Sequence, residues 1–121
     1  MLKKALIILS TFVFVSCSQN EVQEKVTAGQ GIVIDVRSAE EFNAGHLEDA
    51  VNIPHTEIGS RIVDYVKDKD TEISLYCRSG RRSGLAQTKL LEMGYRNAVN
   101  AGGYEELKAR EGKQLPGISS P

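Results

Sequence analysis

Tryptophan is absent from this chain of 121 residues, and aromatics make up only 6% of it, so any core has to be aliphatic. Cysteine is scarce as well: with only Cys17 and Cys77 present, one disulfide is the most the chain could form. An excess of either charge is missing, because 15 Lys and Arg stand against 16 Asp and Glu for a net charge of −1. No basic stripe occurs outside one short turn, which argues against nucleic acid as the main partner. No internal repeat, low-complexity tract, metal-ligand set or nucleotide-binding loop is visible, and the reading calls for no cofactor and no metal. The length leaves room for one globular domain and not for two.

A membrane-spanning run is missing too. The longest apolar stretch, Ala5 to Val15, is broken only by Ser10 and Thr11 and falls short of the roughly 20 residues a spanning helix needs. Behind Lys3 and Lys4 it has the length of a signal-peptide hydrophobic region. Phe14-Val15-Ser16 then leads into Cys17, and small or apolar residues directly before a cysteine resemble a bacterial lipobox. Residues 1–17 are accordingly expected to be a signal peptide with a lipidated Cys17. That would export the protein to the periplasmic or cell-envelope side and tether it to the membrane. Ordinary signal-peptide cleavage and a retained anchor or core helix are the alternatives. A Cys17–Cys77 disulfide would abolish the chemistry read below.

What the chain does have is concentrated between Ile73 and Leu91. A short β-prone run ends at Cys77, and a glycine-bearing, arginine-rich turn follows. A helical pattern then begins, with Leu85, Ala86, Leu90 and Leu91 on its apolar side. One cysteine is thus expected at the carboxyl end of a strand, facing the amino end of a helix, where backbone N–H groups converge and the helix dipole favours negative charge. Arg78, Arg81 and Arg82 add three cations within five residues. A free thiol with a pKa near ~8.5 is only about 3% thiolate at neutral pH, and lowering it by roughly two units makes most of it thiolate. Cys77 reads as a nucleophile. A buried structural cysteine beside a solvated basic turn is the plainer alternative.

The rest of the chain alternates strands with helices. After a tether from Ser18 and a short helix over Val22 to Ala28, Gly31 to Arg37 reads as a strand buried on both faces. Ser38 and Glu41 form a capping box for the next helix, with Phe42 as its buried anchor and Gly45 as its stop. Ala50 to Pro54 is a short extended piece, and Ser60 to Lys67 carries Ile62, Val63 and Val66 at helical spacing. The central strand is Glu72 to Tyr76, and the helix after the cysteine turn stops at Gly94. Asn97 to Asn100 is a last strand, Gly102 and Gly103 a turn, and Tyr104 to Arg110 the final helix. Residues 111–121 are expected to be a frayed tail. The pattern predicts an α/β fold with a mainly parallel sheet and helices on both faces, whose ligands bind beyond the carboxyl ends of the strands.

Several short motifs occur in one order: Asp35-Val36-Arg37, Glu41-Phe42, Gly45-His46 and Ala50-Val51-Asn52-Ile53-Pro54. After these come Cys77-Arg78-Ser79-Gly80-Arg81-Arg82-Ser83, Gly94-Tyr95 and Asn100-Ala101-Gly102-Gly103. Over residues 22 to 110 the ordered set resembles the single-domain rhodaneses, nearest to their small exported phage-shock-protein-E type. Leu107 stands where many relatives carry Trp. The resemblance implies a rhodanese-like three-layer fold over residues 18–121. It also implies sulfur transfer from thiosulfate to cyanide or a thiol acceptor, through a persulfide on Cys77.

By the same resemblance the active loop runs from Cys77 to Arg82. Amides from Arg78 to Ser83 would stabilise the anionic sulfur, and Arg78, Ser79, Gly80, Arg81, Arg82 and Ser83 would hold the substrate. Arg82 is expected to turn inward, with Arg78 and Arg81 at the rim. A cysteine phosphatase or arsenate reductase needs five residues between Cys and Arg; here Arg82 comes one too soon.

Asp35 could hydrogen-bond active-loop amides, or be a structural carboxylate paired with the backbone or Arg37. An Arg37–Glu41 ion pair bracing the turn is expected. His46 reads as a partly buried structural histidine and His55 as a loop residue. Asn100, Gly102 and Gly103 read as a turn near the loop. A monomer is expected. A non-catalytic binding module on the same fold is the reading from another class.

Overall fold

The computed structural model describes residues 31–110. In chain order these form β1 (Ile32–Asp35), α1 (Ala39–Ala44), β2 (Val51–Asn52) and a single 3-10 turn (His55–Glu57) that leads into α2 (Ile58–Tyr65). There follow β3 (Ile73–Cys77), α3 (Arg81–Glu92), β4 (Ala98–Gly103) and α4 (Tyr104–Lys108). The expected signal peptide with Cys17, the helix at 22 to 28 and the tail at 111–121 lie outside the described residues.

All four strands are parallel, in the order β2-β1-β3-β4. Strand alternation divides the interior in two. Ile32, Ile34, Ile73, Leu75 and Cys77 face one cluster, closed by Ile58 and Ile62 of α2 and by Ala86 and Leu90 of α3. Tyr76 faces a smaller second cluster with Leu47 and with Leu107 of α4, joined by Val33 and Tyr104. Both faces of the sheet are therefore covered, which is why β3 is buried at every position, polar Ser74 included. In a chain without Trp, Tyr76 and Tyr95 are the largest fully buried side chains. The Tyr95 hydroxyl remains satisfied by donating to the Val66 carbonyl at 2.7 Å.

The capping box of α1 forms as anticipated: the Ser38 hydroxyl accepts from the Glu41 amide, and the Glu41 carboxylate accepts from the Ser38 amide. Phe42 is only half-buried and stacks on His46 at a centroid distance of 3.7 Å; His46 is exposed rather than partly buried. In α3 the buried residues are Ser83, Ala86 and Leu90, while Leu85 and Leu91 are exposed. At about 100° per residue Ser83 shares a face with Ala86 and Leu90, so a stripe drawn through hydrophobic residues alone is rotated toward solvent.

A larger difference lies in β4, which continues to Gly103 rather than ending at Asn100. Leu75 pairs with Asn100 but Tyr76 with Gly102, so Ala101 is an extra residue and the strand bulges there. Gly102 takes φ 107°, a backbone conformation that a glycine adopts without a Cβ penalty. The bulge sits beside the carboxyl end of β3, where Cys77 lies.

Candidate active site

Cys77 is the last residue of β3 and Arg81 the first of α3, so only three residues make the turn between them. Gly80 makes it possible by adopting the left-handed conformation, φ 89°. Its amide donates to Cys77 Sγ at 3.0 Å, and the amides of Ser79 and Ser83 act on the same sulfur. Gly80 is the N-cap residue of helix α3 and, as a glycine, offers no side-chain acceptor to its first amides. The sulfur takes the place of that cap, at the positive end of a helix of 12 residues. Burial pushes the Cys77 thiol up, but the Ser83 hydroxyl at 3.5 Å and the three amides outweigh it and hold the thiol below its ordinary value. Cys77 is free.

The loop lies directly on β4, where Gly103 pairs with Cys77. A Cβ on Gly103 would come within 2.7 Å of the Arg78 carbonyl oxygen, so this approach needs glycine. Asn100, placed by sequence only in a nearby turn, ties the parts together. Its Nδ2 donates to the Gly80 carbonyl at 2.8 Å. Its Oδ1 accepts from the Ser83 hydroxyl at 2.7 Å and from the Gly102 amide at 3.1 Å. The bulge delivers that carboxamide to the loop.

The arginines separate into two kinds. Arg78 and Arg81 are exposed, as is Ser79, and neither arginine has an ion pair among the described residues. Arg82 does not turn into the loop as expected. Its guanidinium forks onto Glu41, with Nη1–Oε2 at 2.7 Å and Nη2–Oε1 at 3.0 Å. The anticipated Arg37–Glu41 pair is accordingly absent, and Arg37 binds Asp35 instead.

Of the two readings of Asp35, the structure bears out the structural one, a carboxylate paired with Arg37 and with the backbone, and not the contact with active-loop amides. Asp35 and Arg37 are two residues apart in extended chain and so project to one face, the face of Tyr76 rather than that of Cys77. The Asp35 carboxylate accepts from the Arg37 amide at 2.9 Å, from Nε at 3.0 Å and from Nη2 at 2.7 Å. Arg37 Nη2 also donates to the Gly45 carbonyl, and its guanidinium lies 4.4 Å from the Tyr104 ring centroid. This is a brace on the opposite face of the sheet. His55 is elsewhere again, in an open cleft of ≈ 510 Å³ with Ser60, Lys89 and Met93, none of them an active-loop residue.

The Glu41–Arg82 fork joins the first turn of α3 to α1 across the mouth of the fold. Arg82 holds the Glu41 carboxyl down at about 2, helped by Ser38 and opposed by partial burial. Because that value lies below the ordinary 4.5, the bridge contributes its stability above the ordinary range and loses it as pH falls toward 2. Urea midpoints of the parent should therefore drop more steeply over that interval than those of Glu41→Gln. Parallel acid limbs for the two proteins would remove the bridge from the account.

Residues 18–110 match the rhodanese-like domain family. The chain belongs to the rhodanese family. It is 43% identical over 74 residues to the thiosulfate sulfurtransferase PspE of Escherichia coli (strain K12), covering 61% of this chain and 71% of that one. Among solved structures, a rhodanese with anions from E. coli superposes with TM-score 0.61 at 42% identity, covering 63% of this chain and 89% of the other. The human single-domain sulfurtransferase TSTD1 gives TM-score 0.60 at 29% identity, with coverages of 75% and 92%. Two longer relatives match over only 29% and 21% of their own length.

Glu41 and Asn100 are the two residues whose part in this rhodanese site the motif order does not announce. For Glu41, sequence spacing points to the nearer arginine, Arg37. For Asn100, the motif Asn100-Ala101-Gly102-Gly103 places it near the active loop without saying which groups it meets.

Proposed function

We propose that this rhodanese is a sulfurtransferase that moves the outer sulfur of thiosulfate to cyanide or to a thiol, with Cys77 as the carrier. The observation that carries the proposal is the ring of polar groups around a single free sulfur at the head of α3: the Gly80 amide donates to Cys77 Sγ at 3.0 Å, the amides of Ser79 and Ser83 act on the same atom, and the Ser83 hydroxyl stands 3.5 Å away, able to turn to it. Such a ring stabilises a thiolate and the anionic sulfur that replaces it. The thiolate attacks the outer sulfur of thiosulfate, forming a Cys77 S–S bond and breaking the S–S bond of the donor. Sulfite leaves with the electron pair, so the total charge of −3 is conserved. In the second step cyanide or a thiolate attacks the terminal sulfur and Cys77 departs as thiolate.

Arg78 and Arg81, exposed and unpaired among the described residues, supply the field that draws a dianion to the loop. Arg82 has its charge met by Glu41 and serves to hold the loop. We also place the protein outside the cytoplasm, exported by its first 17 residues and tethered by lipid on Cys17, on the strength of the apolar run and the residues before that cysteine. The test is the intact mass of the purified protein before and after thiosulfate treatment. One added sulfur atom, ~32 Da, removable by cyanide, is expected on Cys77. A protein that stays at its original mass under saturating thiosulfate is a binding module on the same fold.

A further inference from the structure

The Ser83 side chain is fully buried, and its one hydroxyl proton has three acceptors in reach: Asn100 Oδ1 at 2.7 Å, the Gly80 carbonyl at 3.1 Å and Cys77 Sγ at 3.5 Å. A hydroxyl donates one hydrogen bond at a time. Which way Asn100 faces is settled by its backbone partners. The Gly80 carbonyl can only accept and the Gly102 amide can only donate, so Nδ2 must face the first and Oδ1 the second. Two oxygens 2.7 Å apart need a proton between them, so in this geometry the Ser83 proton points at Asn100. A lone pair of Ser83 is left toward the sulfur, suited to a neutral thiol that donates S–H.

Ionising Cys77 reverses the demand. A thiolate is a charged acceptor, and charge-assisted hydrogen bonds are roughly twice as strong as neutral ones. Asn100 Oδ1 can release the hydroxyl without being orphaned, because it keeps the Gly102 amide. We propose that Asn100 is a positioning residue that gives the Ser83 hydroxyl proton a second resting place, so that the proton follows the charge on Cys77 Sγ. The proton points to sulfur when Cys77 is a thiolate, at the start of the first step and as the leaving group of the second. It returns to Asn100 when the charge has moved out to the terminal sulfur of the persulfide and Sγ is neutral. No bond to sulfur and no electron pair is exchanged in this swing; the hydrogen bond changes partner, and Ser83 Oγ and Asn100 Oδ1 draw apart from 2.7 Å once no proton lies between them.

The proposal rests on Cys77 being the reacting sulfur, and its test does not require turnover. The rate of Cys77 alkylation by iodoacetamide is measured against pH in four proteins: parent, Ser83→Ala, Asn100→Leu and the double variant, with Asn100→Ala as a replacement should the leucine not fold. Ser83→Ala should move the alkylation midpoint up. Asn100→Leu removes the competing acceptor and also the tie to Gly80; the second loss acts in both backgrounds and cancels in their comparison. The deciding quantity is the rate ratio below the midpoint, Asn100→Leu over its own background. That ratio should be about threefold higher with Ser83 present than in the Ser83→Ala background, which has no hydroxyl to turn; threefold is the order of one modest hydrogen bond. Equal ratios in the two backgrounds, or a lower one with Ser83 present, would make Asn100 a scaffold for the loop and overturn the proposal. A failed mass shift with thiosulfate alongside an intact coupling would sink the enzyme reading and leave this pair standing.

Discussion

Replacing Cys77 with serine should reduce thiosulfate:cyanide sulfur transfer to below roughly a thousandth of the parent rate, the scale of losses seen when a nucleophile is removed. The same change should abolish the thiosulfate-dependent mass increase. The fold should survive it, because a serine hydroxyl is smaller than the thiol and can still accept from the Gly80 amide. What disappears is the chemistry. A hydroxyl at that position is not ionised near neutral pH, and its oxygen cannot carry a second sulfur between donor and acceptor. Far-UV circular dichroism and a urea midpoint close to the parent would show that the loss is chemical and not structural. Substantial residual transfer in pure Cys77→Ser protein would remove Cys77 from the mechanism.

Much of this site could be read along the chain because its parts are local. A strand that must be buried on both faces, a left-handed glycine and a helix start lie within ten residues, and the position of Cys77 follows from their order. The capping box at Ser38 and Glu41 is local in the same way. What could not be read is which distant group each charge would meet. Glu41 and Arg82 are 41 positions apart, and only the tertiary fold, which brings the first turn of α1 within reach of the first turn of α3, makes the fork. The Asp35–Arg37 pair is the exception and is legible along the chain, because residues two apart in a strand share a face; the expected Arg37–Glu41 pair is what that geometry excludes. The bulge at Ala101 is silent in composition, yet it is what turns Asn100 from a loop residue into one that grips Gly80 and Ser83. Polar Ser83 on the buried face of α3 is the same lesson in reverse. A hydrophobic pattern assigns it to solvent, whereas a sulfur that needs a donor holds it inside.

Removing the partner of Arg37 should be the most damaging change to stability. The Asp35 side chain is 0% exposed and that of Arg37 7%, so Asp35→Ala leaves a guanidinium buried with only the Gly45 carbonyl and two aromatic rings to receive it. Breaking a buried pair on one side costs about 3–5 kcal/mol, a large fraction of the about 5–15 kcal/mol that holds a small domain together. Removing both charges is a different experiment. Asp35→Leu with Arg37→Met restores apolar volume without an orphaned ion and should recover most of the loss, since the pair repays little more than its own desolvation. Urea unfolding of the two variants and the parent measures the contrast. Because the Asp35 carboxylate and the Cys77 sulfur lie on opposite faces of the sheet, the folded fraction of Asp35→Ala should still take up sulfur from thiosulfate. A loss under about 1 kcal/mol for the single variant would mean that Arg37 finds water or another acceptor, and that the brace is dispensable.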